Sequence, residues 1–238
     1  MEARRLPEPV PAEAAPPAHR EPRATLDEEL DGLRDDVLRL GGRVEDALER
    51  AGRALTERDV DLADHVRWDD AETNELQRRI NAEITTLIAT QQPMARDVRI
   101  ILALHHASAE LERMGDYAVN IAKLAQQMAS EPETPIFPQI PQMAQVCREQ
   151  LRDAMRALVD VSEDAARAVC ARDDELDELY SEVYETAIGL MEAAPERARQ
   201  ATHMLFAAHQ LERLGDRVTN IGEDVVYLAT GRVEDLNG

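Results

Sequence analysis

The stretch ELERMGD, residues 110–116, returns one hundred positions later as QLERLGD, residues 210–216. Both copies continue to an Asn-Ile pair, at 120–121 and at 220–221. Apolar residues surround each copy at the spacing of an α-helix, so a glycine, two acidic residues and an asparagine recur at the same places in two helices. The repetition indicates that the chain contains one helical unit twice.

The second half of the chain copies the first beyond this motif as well. At an offset of 103 residues, Leu55 matches Leu158 and Leu76 matches Leu179. After a short deletion near Pro195, the offset becomes 100. Short connections between helices favour antiparallel neighbours. We therefore predict an all-α fold of two tandem three-helix bundles that pack together as one elongated body.

Capping residues, prolines and glycines set the expected boundaries. In the first unit, a capping box at Thr25 predicts the start of a helix that continues through Gly41-Gly42. Two further helices are predicted there, at about 59–90 and 93–128, and the second unit is predicted to contain helices near 140–171, 173–193 and 196–230, ended by Gly231. The predicted organisation is a disordered Pro/Ala-rich leader at 1–24, a first repeat at 25–130, a Pro-rich linker at 131–139, a second repeat at 140–231 and a tail at 232–238.

Composition excludes several classes of protein. The 238 residues carry a formal net charge of −21, so phosphate backbones repel the surface and nucleic-acid binding is not expected. Aromatic residues are only 3% of the chain, which predicts an aliphatic core. No apolar run approaches the roughly 20 residues that span a bilayer, so no membrane insertion is expected. Two isolated cysteines, Cys147 and Cys170, fit small hydrophobic core residues in a reducing cytoplasm.

The third helix of each unit carries a row of oxygen-bearing side chains. Glu112, Asp116 and Asn120 stand four residues apart, with Lys123 beside them. The second unit repeats the row with four residues: Glu212, Asp216, Asn220 and Glu223. Stacked carboxylates repel each other, so either the row is a solvated face braced by Arg113 and Arg213, or a hard cation binds it.

Two other features belong to the same helices. Asp173 and Asp177 form a second acidic pair, whose first-unit counterparts are Asp70 and Asn74. This pair either faces the neighbouring row or points to water. Gly115 and Gly215 each stand in mid-helix, where glycine costs about 1 kcal/mol relative to alanine, and their retention predicts the close approach of a neighbouring backbone or side chain.

The repeated motifs resemble the PhoU family of phosphate-signalling regulators. The resemblance rests on QQPMARDVR, LERMGDYAVNIAK and LERLGDRVTNIGEDVVYLATG, and it covers residues 25–231. It implies two three-helix bundles in a flat, elongated molecule and a role in restraining phosphate uptake and the phosphate-starvation (Pho regulon) response. The implied partners are the phosphate ABC transporter and the phosphate-sensing histidine kinase at the inner face of the membrane. A homodimer is also a family-based expectation.

The resemblance also implies a metal role for the acidic pairs. Some members of the family bind iron, zinc or other metals through paired E/D-xxx-D motifs. Here these map to Glu112 with Asp116, Glu212 with Asp216, and Asp173 with Asp177. Asn74 stands where an acid would complete the Asp70 pair, and Lys123 stands where the family usually has an acid. A protonated lysine has no lone pair for a metal, so the second unit is the stronger candidate.

Three functions remain open at this stage. The first is a regulatory adaptor and not an enzyme, since the chain contains neither a GxxxxGK[ST] phosphate loop nor a GxSxG nucleophile elbow. The second is a carboxylate-bridged metalloenzyme, but no Glu-x-x-His motif occurs, and the one HxxE pair, His209 with Glu212, matches Ala109 in the first unit. The third is a metal-binding helical scaffold without phosphate signalling, or one whose acidic rows bind nothing.

Overall fold

The computed structural model of the protein describes residues 22–236. Most of the predicted leader, residues 1–21, and the end of the predicted tail, residues 237–238, lie outside the described residues. Residues 22–24, which the sequence placed in the leader, belong instead to the first helix, so Thr25 lies inside a helix and does not cap it. No β-strand occurs between residues 22 and 236, and the all-α prediction is confirmed.

The two repeats contain seven α-helices between residues 22 and 236. The first repeat consists of α1 (Pro22–Glu57), α2 (Val60–Gln91) and α3 (Arg96–Ala129). The second repeat consists of α4 (Gln139–Asp160), α5 (Glu163–Cys170), α6 (Asp173–Ala193) and α7 (Ala198–Thr230), with a short 3-10 turn at Pro195–Arg197. Gly231 ends α7 in the left-handed conformation, as the sequence predicts, and its N–H donates to the Tyr227 carbonyl at 2.8 Å.

The second repeat differs from its predicted boundaries at one place. One helix was predicted over 140–171, but α4 ends at Asp160, and the shorter α5 follows it. Val161 adopts a left-handed conformation, and the Ser162 hydroxyl caps α5 by accepting from the Ala165 N–H. Arg58 and Asp59 form the same break between α1 and α2. Together α5 and α6 therefore correspond to α2, interrupted at residues 171–172.

The start of α3 was also placed too early. The prediction put Pro93 in its first turn, but residues 92–95 are not helical and α3 begins at Arg96. Ala95, with φ +41°, takes the position before the helix, and Asp97 lies buried in its first turn. The Asp97 side chain accepts from the Met94 N–H at 3.5 Å, which holds the turn against α3.

An aliphatic core joins the two repeats. Helix α1 packs against α2, α3 and α4, while α3 packs against α2 and α7, and α6 packs against α4 and α7. The bundles thus meet along two helix pairs, α1 with α4 and α3 with α7, which gives the predicted elongated shape. Gly41 admits α4 closely, because a Cβ there would lie 3.0 Å from the end of Met155. Within residues 22–236, no helix has the length and apolar character that crossing a membrane requires.

Candidate functional site

Helices α3 and α7 run antiparallel through the middle of the molecule. Four cross-helix contacts join Asn120 to Gln210, Asn220 to Glu110, Arg213 to Tyr117, and His106 to Asp224. The residue numbers of each pair add to the same total, so the register is constant along the interface. Gly115 and Gly215 lie at the centre of this arrangement. The two repeats are therefore related by an approximate two-fold axis across the α3–α7 pair.

Glu110 is the most buried charge at this interface, with 3% of its surface exposed. Its Oε2 accepts from Asn220 Nδ2 and from Arg217 Nη1, both at 3.4 Å. Its Oε1 lies 3.6 Å from His106 Nε2 and 3.9 Å from Arg113 Nη1. Because a buried carboxylate needs compensating partners, these contacts tie α3 to α7.

The first acidic cluster lies between α2 and α3, and we call Asp70, Glu112 and Asp116 the α2–α3 cluster. Burial raises the pKa of Asp70, and the nearby Asp116 carboxylate raises it further. Burial also raises the pKa of Glu112, with repulsion from Asp116 and Asp70 as the next causes. Asn74 donates to Asp70 Oδ2 at 2.9 Å and so replaces the missing acid of this pair with a hydrogen bond.

The second acidic cluster occupies the equivalent place between α6 and α7, and we call its four residues, Asp173, Asp177, Glu212 and Asp216, the α6–α7 cluster. Burial raises the pKa of Asp173 to about 6, and the other three carboxylates of the cluster add to the shift. The pKa of Glu212 and the pKa of Asp216 are also raised, chiefly by burial. This cluster therefore concentrates more mutually repelling charge than the α2–α3 cluster does.

A glycine stands beside each cluster. A Cβ on Gly215 would collide with Leu176 Cδ1 and lie 3.4 Å from Asp173 Oδ1, so glycine is needed for the close approach of α6. A Cβ on Gly115 would lie 3.6 Å from Thr73 Cγ2, which is an ordinary contact. Neighbouring side chains thus approach both glycines, but only at Gly215 would an added Cβ lack room.

Three of the predicted row residues make contacts outside the acidic clusters. Asn120 Nδ2 donates to Gln210 at 3.1 Å, and Asn220 donates to Glu110, so both asparagines join the α3–α7 pair. Glu223 Oε1 accepts from the backbone N–H of Leu236 at 2.7 Å, where the tail folds back onto α7. The single row proposed from the sequence is therefore divided between a cluster and an interface in each repeat.

The clusters offer suitable atoms for a metal, but in a loose arrangement. Carboxylate oxygens suit hard cations and iron, and one buried oxygen, Glu212 Oε2, has no hydrogen-bond partner. His209 Nδ1 lies 3.3 Å from this oxygen but without hydrogen-bond geometry. Among residues 22–236, no three acidic, histidine or cysteine side chains converge as ligands of one ion. A cation would therefore have to draw the side chains of a cluster together.

The interface residues Glu110, His106, Arg217 and Asp224 were not singled out from the sequence. A signal for them exists, because Glu110, Arg113, Tyr117 and Asn120 recur in the second repeat as Gln210, Arg213, Arg217 and Asn220. Their spacing places them along one face of a helix. A polar face repeated in both copies, beside an apolar face that fills each bundle, predicts that the two helices meet there.

Comparison with known proteins agrees with the duplicated architecture. The sequence model of the PhoU domain matches the chain twice, at residues 37–125 and 140–225. A relative from Clostridium acetobutylicum, named phosphate-specific transport system accessory protein PhoU homolog, is 33% identical over 90% of this chain and 99% of its own. A relative of the same name from Caulobacter vibrioides is 35% identical over 86% of this chain and 89% of its own.

Solved structures share the fold as well as the sequence. The crystal structure of PhoU from Pseudomonas aeruginosa superimposes with a TM-score of 0.84 at 30% identity, covering 87% of this chain and all of that one. The crystal structure of the phosphate transport system regulatory protein PhoU from Streptococcus pneumoniae gives a TM-score of 0.83 at 30% identity, covering 88% of this chain and 99% of that one. The match of both domain copies, the relatives and the common fold together establish that this chain belongs to the PhoU family.

Proposed function

We propose that this protein is a negative regulator of phosphate uptake and of the phosphate-starvation response. It acts as an adaptor in the cytoplasm, at the inner face of the membrane, between the phosphate ABC transporter and a sensor histidine kinase. The observation that carries the proposal is that relatives named as phosphate transport accessory proteins align with nearly the whole chain, through both repeats. The transporter partner is supported by those names, and the kinase partner by the resemblance of the motifs.

The geometry is compatible with an adaptor, because the two repeats pack against each other through α1 with α4 and α3 with α7 and offer partners one elongated body. Glu110 and its partners lie between α3 and α7, and the two acidic clusters lie on either side of that pair. The proposal assigns the protein no catalytic step. We also propose that the protein forms a homodimer, and light scattering of the purified protein will test this.

We also propose that the α6–α7 cluster takes up a divalent metal ion such as iron or zinc. Repulsion among its four carboxylates, expressed in the raised pKa of Asp173, supports this, since a cation would relieve it. Elemental analysis of protein purified without chelator will test the idea by comparison with Asp216→Asn and with the matched Asp116→Asn. We expect Asp216→Asn to lose more metal, and equal metal content in the wild type and both variants would contradict the site.

A gene deletion tests the regulatory function. We expect the deletion strain to produce alkaline phosphatase in phosphate-rich medium, where the wild type represses it, and to regain repression when the gene is returned on a plasmid. Unchanged repression in the deletion strain would contradict the proposed role. Pull-down from the membrane fraction with wild-type protein then identifies whether the transporter and the kinase bind together or separately.

A further inference from the structure

Five equivalent positions of the two repeats differ in chemical character. Five positions on α2 and α3 are polar in the first repeat: Gln77, Asn81, Thr85, His105 and His106. Their counterparts on α6 and α7 are all apolar or aromatic, and we call them the α6–α7 apolar patch: Tyr180, Tyr184, Ile188, Leu205 and Phe206. The two sets are paired position by position through the offsets of 103 residues, for α2 with α6, and 100 residues, for α3 with α7.

One contact in each repeat shows how the two helices of the pair are aligned. In the first repeat, His105 Nδ1 and Asn81 Oδ1 are 3.0 Å apart across α2 and α3. In the second repeat, the rings of Tyr180 and His209 lie 6.0 Å apart across α6 and α7. One helical turn further along α6, Tyr184 comes to the level of Leu205, the counterpart of His105. Tyr180, Tyr184 and Leu205 therefore lie together where α6 meets α7, and Phe206 is the next residue of α7 after Leu205.

Water reaches much of this patch. The exposed fractions are 54% for Phe206, 48% for Tyr184 and 37% for Ile188. The first repeat builds the same helix pair with Asn81, Thr85 and His106 at these positions, so the fold does not require apolar side chains there. Clustered apolar groups that the fold does not require, and that water contacts, are typical of a surface that binds another molecule.

The charge on the α6 side of the patch is of one sign. Helix α6 carries eight acidic residues and no Lys or Arg: Asp173, Asp174, Glu175, Asp177, Glu178, Glu182, Glu185 and Glu192. A second copy of this face would bring a like-charged helix against it, which is unfavourable. Anionic lipid and nucleic acid are repelled for the same reason. A segment that combines apolar side chains with Lys or Arg complements both properties of the surface.

We infer that the α6–α7 apolar patch is a docking surface for a basic amphipathic helix of a partner protein. This rests on the proposed adaptor function, since it assigns one face of the molecule to partner contact. Apolar side chains of the partner helix lie on Tyr184, Ile188 and Phe206, and its basic residues face the carboxylates of α6. The first repeat presents polar groups at the equivalent positions, so the inferred docking surface belongs to the second repeat alone.

A peptide of defined composition tests the inference on the intact protein. The probe is a fluorescein-labelled helical peptide of about 18 residues with Leu on one face and Lys on the other, and the control peptide has Glu in place of Lys. Fluorescence anisotropy at about 150 mM salt measures binding. We expect the wild type to bind the Lys peptide and not the Glu peptide.

Two variants that keep every carboxylate distinguish peptide binding by the patch from general attraction of a basic peptide to the acidic surface. The first, Tyr184→Asn with Ile188→Thr and Phe206→His, installs the first-repeat residues, which that repeat already accommodates. The second, Trp68→Ala with Ile88→Thr and Leu102→Thr, removes three exposed apolar side chains from the first repeat. We expect the first variant to bind the Lys peptide at least about tenfold more weakly and the second to bind like the wild type.

Equal binding by the wild type and the first variant, or equal loss in both variants, overturns the docking surface. Circular dichroism melting confirms that both variants are folded before they are compared. Repression of alkaline phosphatase by the wild-type gene tests the adaptor function alone, so the two ideas can fail separately. If the wild type restores repression and the first variant restores it fully too, the patch is not the surface that the partner uses.

Discussion

The side-chain amide of Asn120 donates to Gln210 Oε1 at 3.1 Å, and its symmetry counterpart, Asn220, donates to Glu110 Oε2 at 3.4 Å. These two hydrogen bonds are the same contact made twice across the α3–α7 pair. In one of them the acceptor is a neutral amide, and in the other it is a buried carboxylate that also contacts Arg217. The duplicated interface thus carries a carboxylate at one of two equivalent positions and a neutral amide at the other.

Removal of that carboxylate should weaken the protein more than removal of its neutral counterpart. We expect Glu110→Ala to lower the free energy of unfolding by about 3 kcal/mol, because Arg217 and Asn220 lose a buried partner. Gln210→Ala should lower it by about 1 kcal/mol, the value of one hydrogen bond. Urea denaturation followed by circular dichroism measures both. Equal losses would mean that the charge of Glu110 adds nothing to the interface.

The two mid-helix glycines offer a matched comparison. Gly215→Ala should destabilise the protein by about 1–3 kcal/mol, because the added Cβ collides with the buried Leu176 side chain. Gly115→Ala should be neutral or stabilise the protein by up to about 1 kcal/mol. Its Cβ would lie 3.6 Å from Thr73 Cγ2, which is an ordinary contact, and alanine favours a helix. Thermal melting of both variants checks the prediction. A similar change in melting temperature for both variants would contradict the inference that a Cβ has room at Gly115 and none at Gly215.

The breaks before α2 and α5 should depend on their capping side chains. Asp59 accepts from the Leu62 N–H at 2.9 Å, and Ser162 accepts from the Ala165 N–H at 3.3 Å. We expect Asp59→Ala and Ser162→Ala each to lower the free energy of unfolding by about 1 kcal/mol. Substitution by Gly, which is tolerated at this position, should cost only a few tenths of that and serves as the control. Urea titration measures the losses, and equal stability of the Ala and Gly variants would argue against a capping role.

This pair of caps also shows how far the sequence could be taken. The periodic apolar residues and the doubled motif were enough to predict the all-α fold and the repeat. The offset of 103 also places Ser162 opposite Asp59, so the break between α4 and α5 was available from the duplication and was missed. The start of α3 was predicted wrongly from Pro93 for a different reason. Proline is compatible with the first turn of a helix and equally with the turn before it.

The candidate site was harder to predict. A helical wheel shows the direction in which a side chain leaves its own helix, but it does not show which residue of another helix that side chain contacts. Glu112 and Asp116 were placed on one face of α3, and the structure adds Asp70 from α2. Asn120 was placed in the same row, but the contact that decides its role comes from Gln210, ninety residues away. Only the packing of α3 on α7 determines which oxygens belong to a cluster and which to the interface.

The α6–α7 cluster should make stability depend on pH. Burial and four neighbouring carboxylates, the last of them Asp174, raise the pKa of Asp173 to about 6 from an ordinary value of 3.8. Because the folded-state pKa lies above the unfolded one, ionisation of Asp173 destabilises the fold. The penalty is absent below about pH 4, grows as the pH rises, and is complete above about pH 6.

Asp173→Asn should therefore raise the free energy of unfolding at pH 8 and have little benefit at pH 4. We expect a gain of the order of 1 kcal/mol, since water screens part of the repulsion at this half-buried position. The matched control is Asp174→Asn, which removes the same charge from the same first turn of α6 at an exposed residue. Both variants lose the favourable interaction of an acid with the helix N-terminus. Because Asp174 also repels Asp173, as the smallest of the causes that raise its pKa, the difference between the variants is a lower limit for the effect of the cluster. Urea titrations with a chelator present measure it, and a loss of stability at pH 8 equal to that of the control would show that repulsion within the cluster is already relieved.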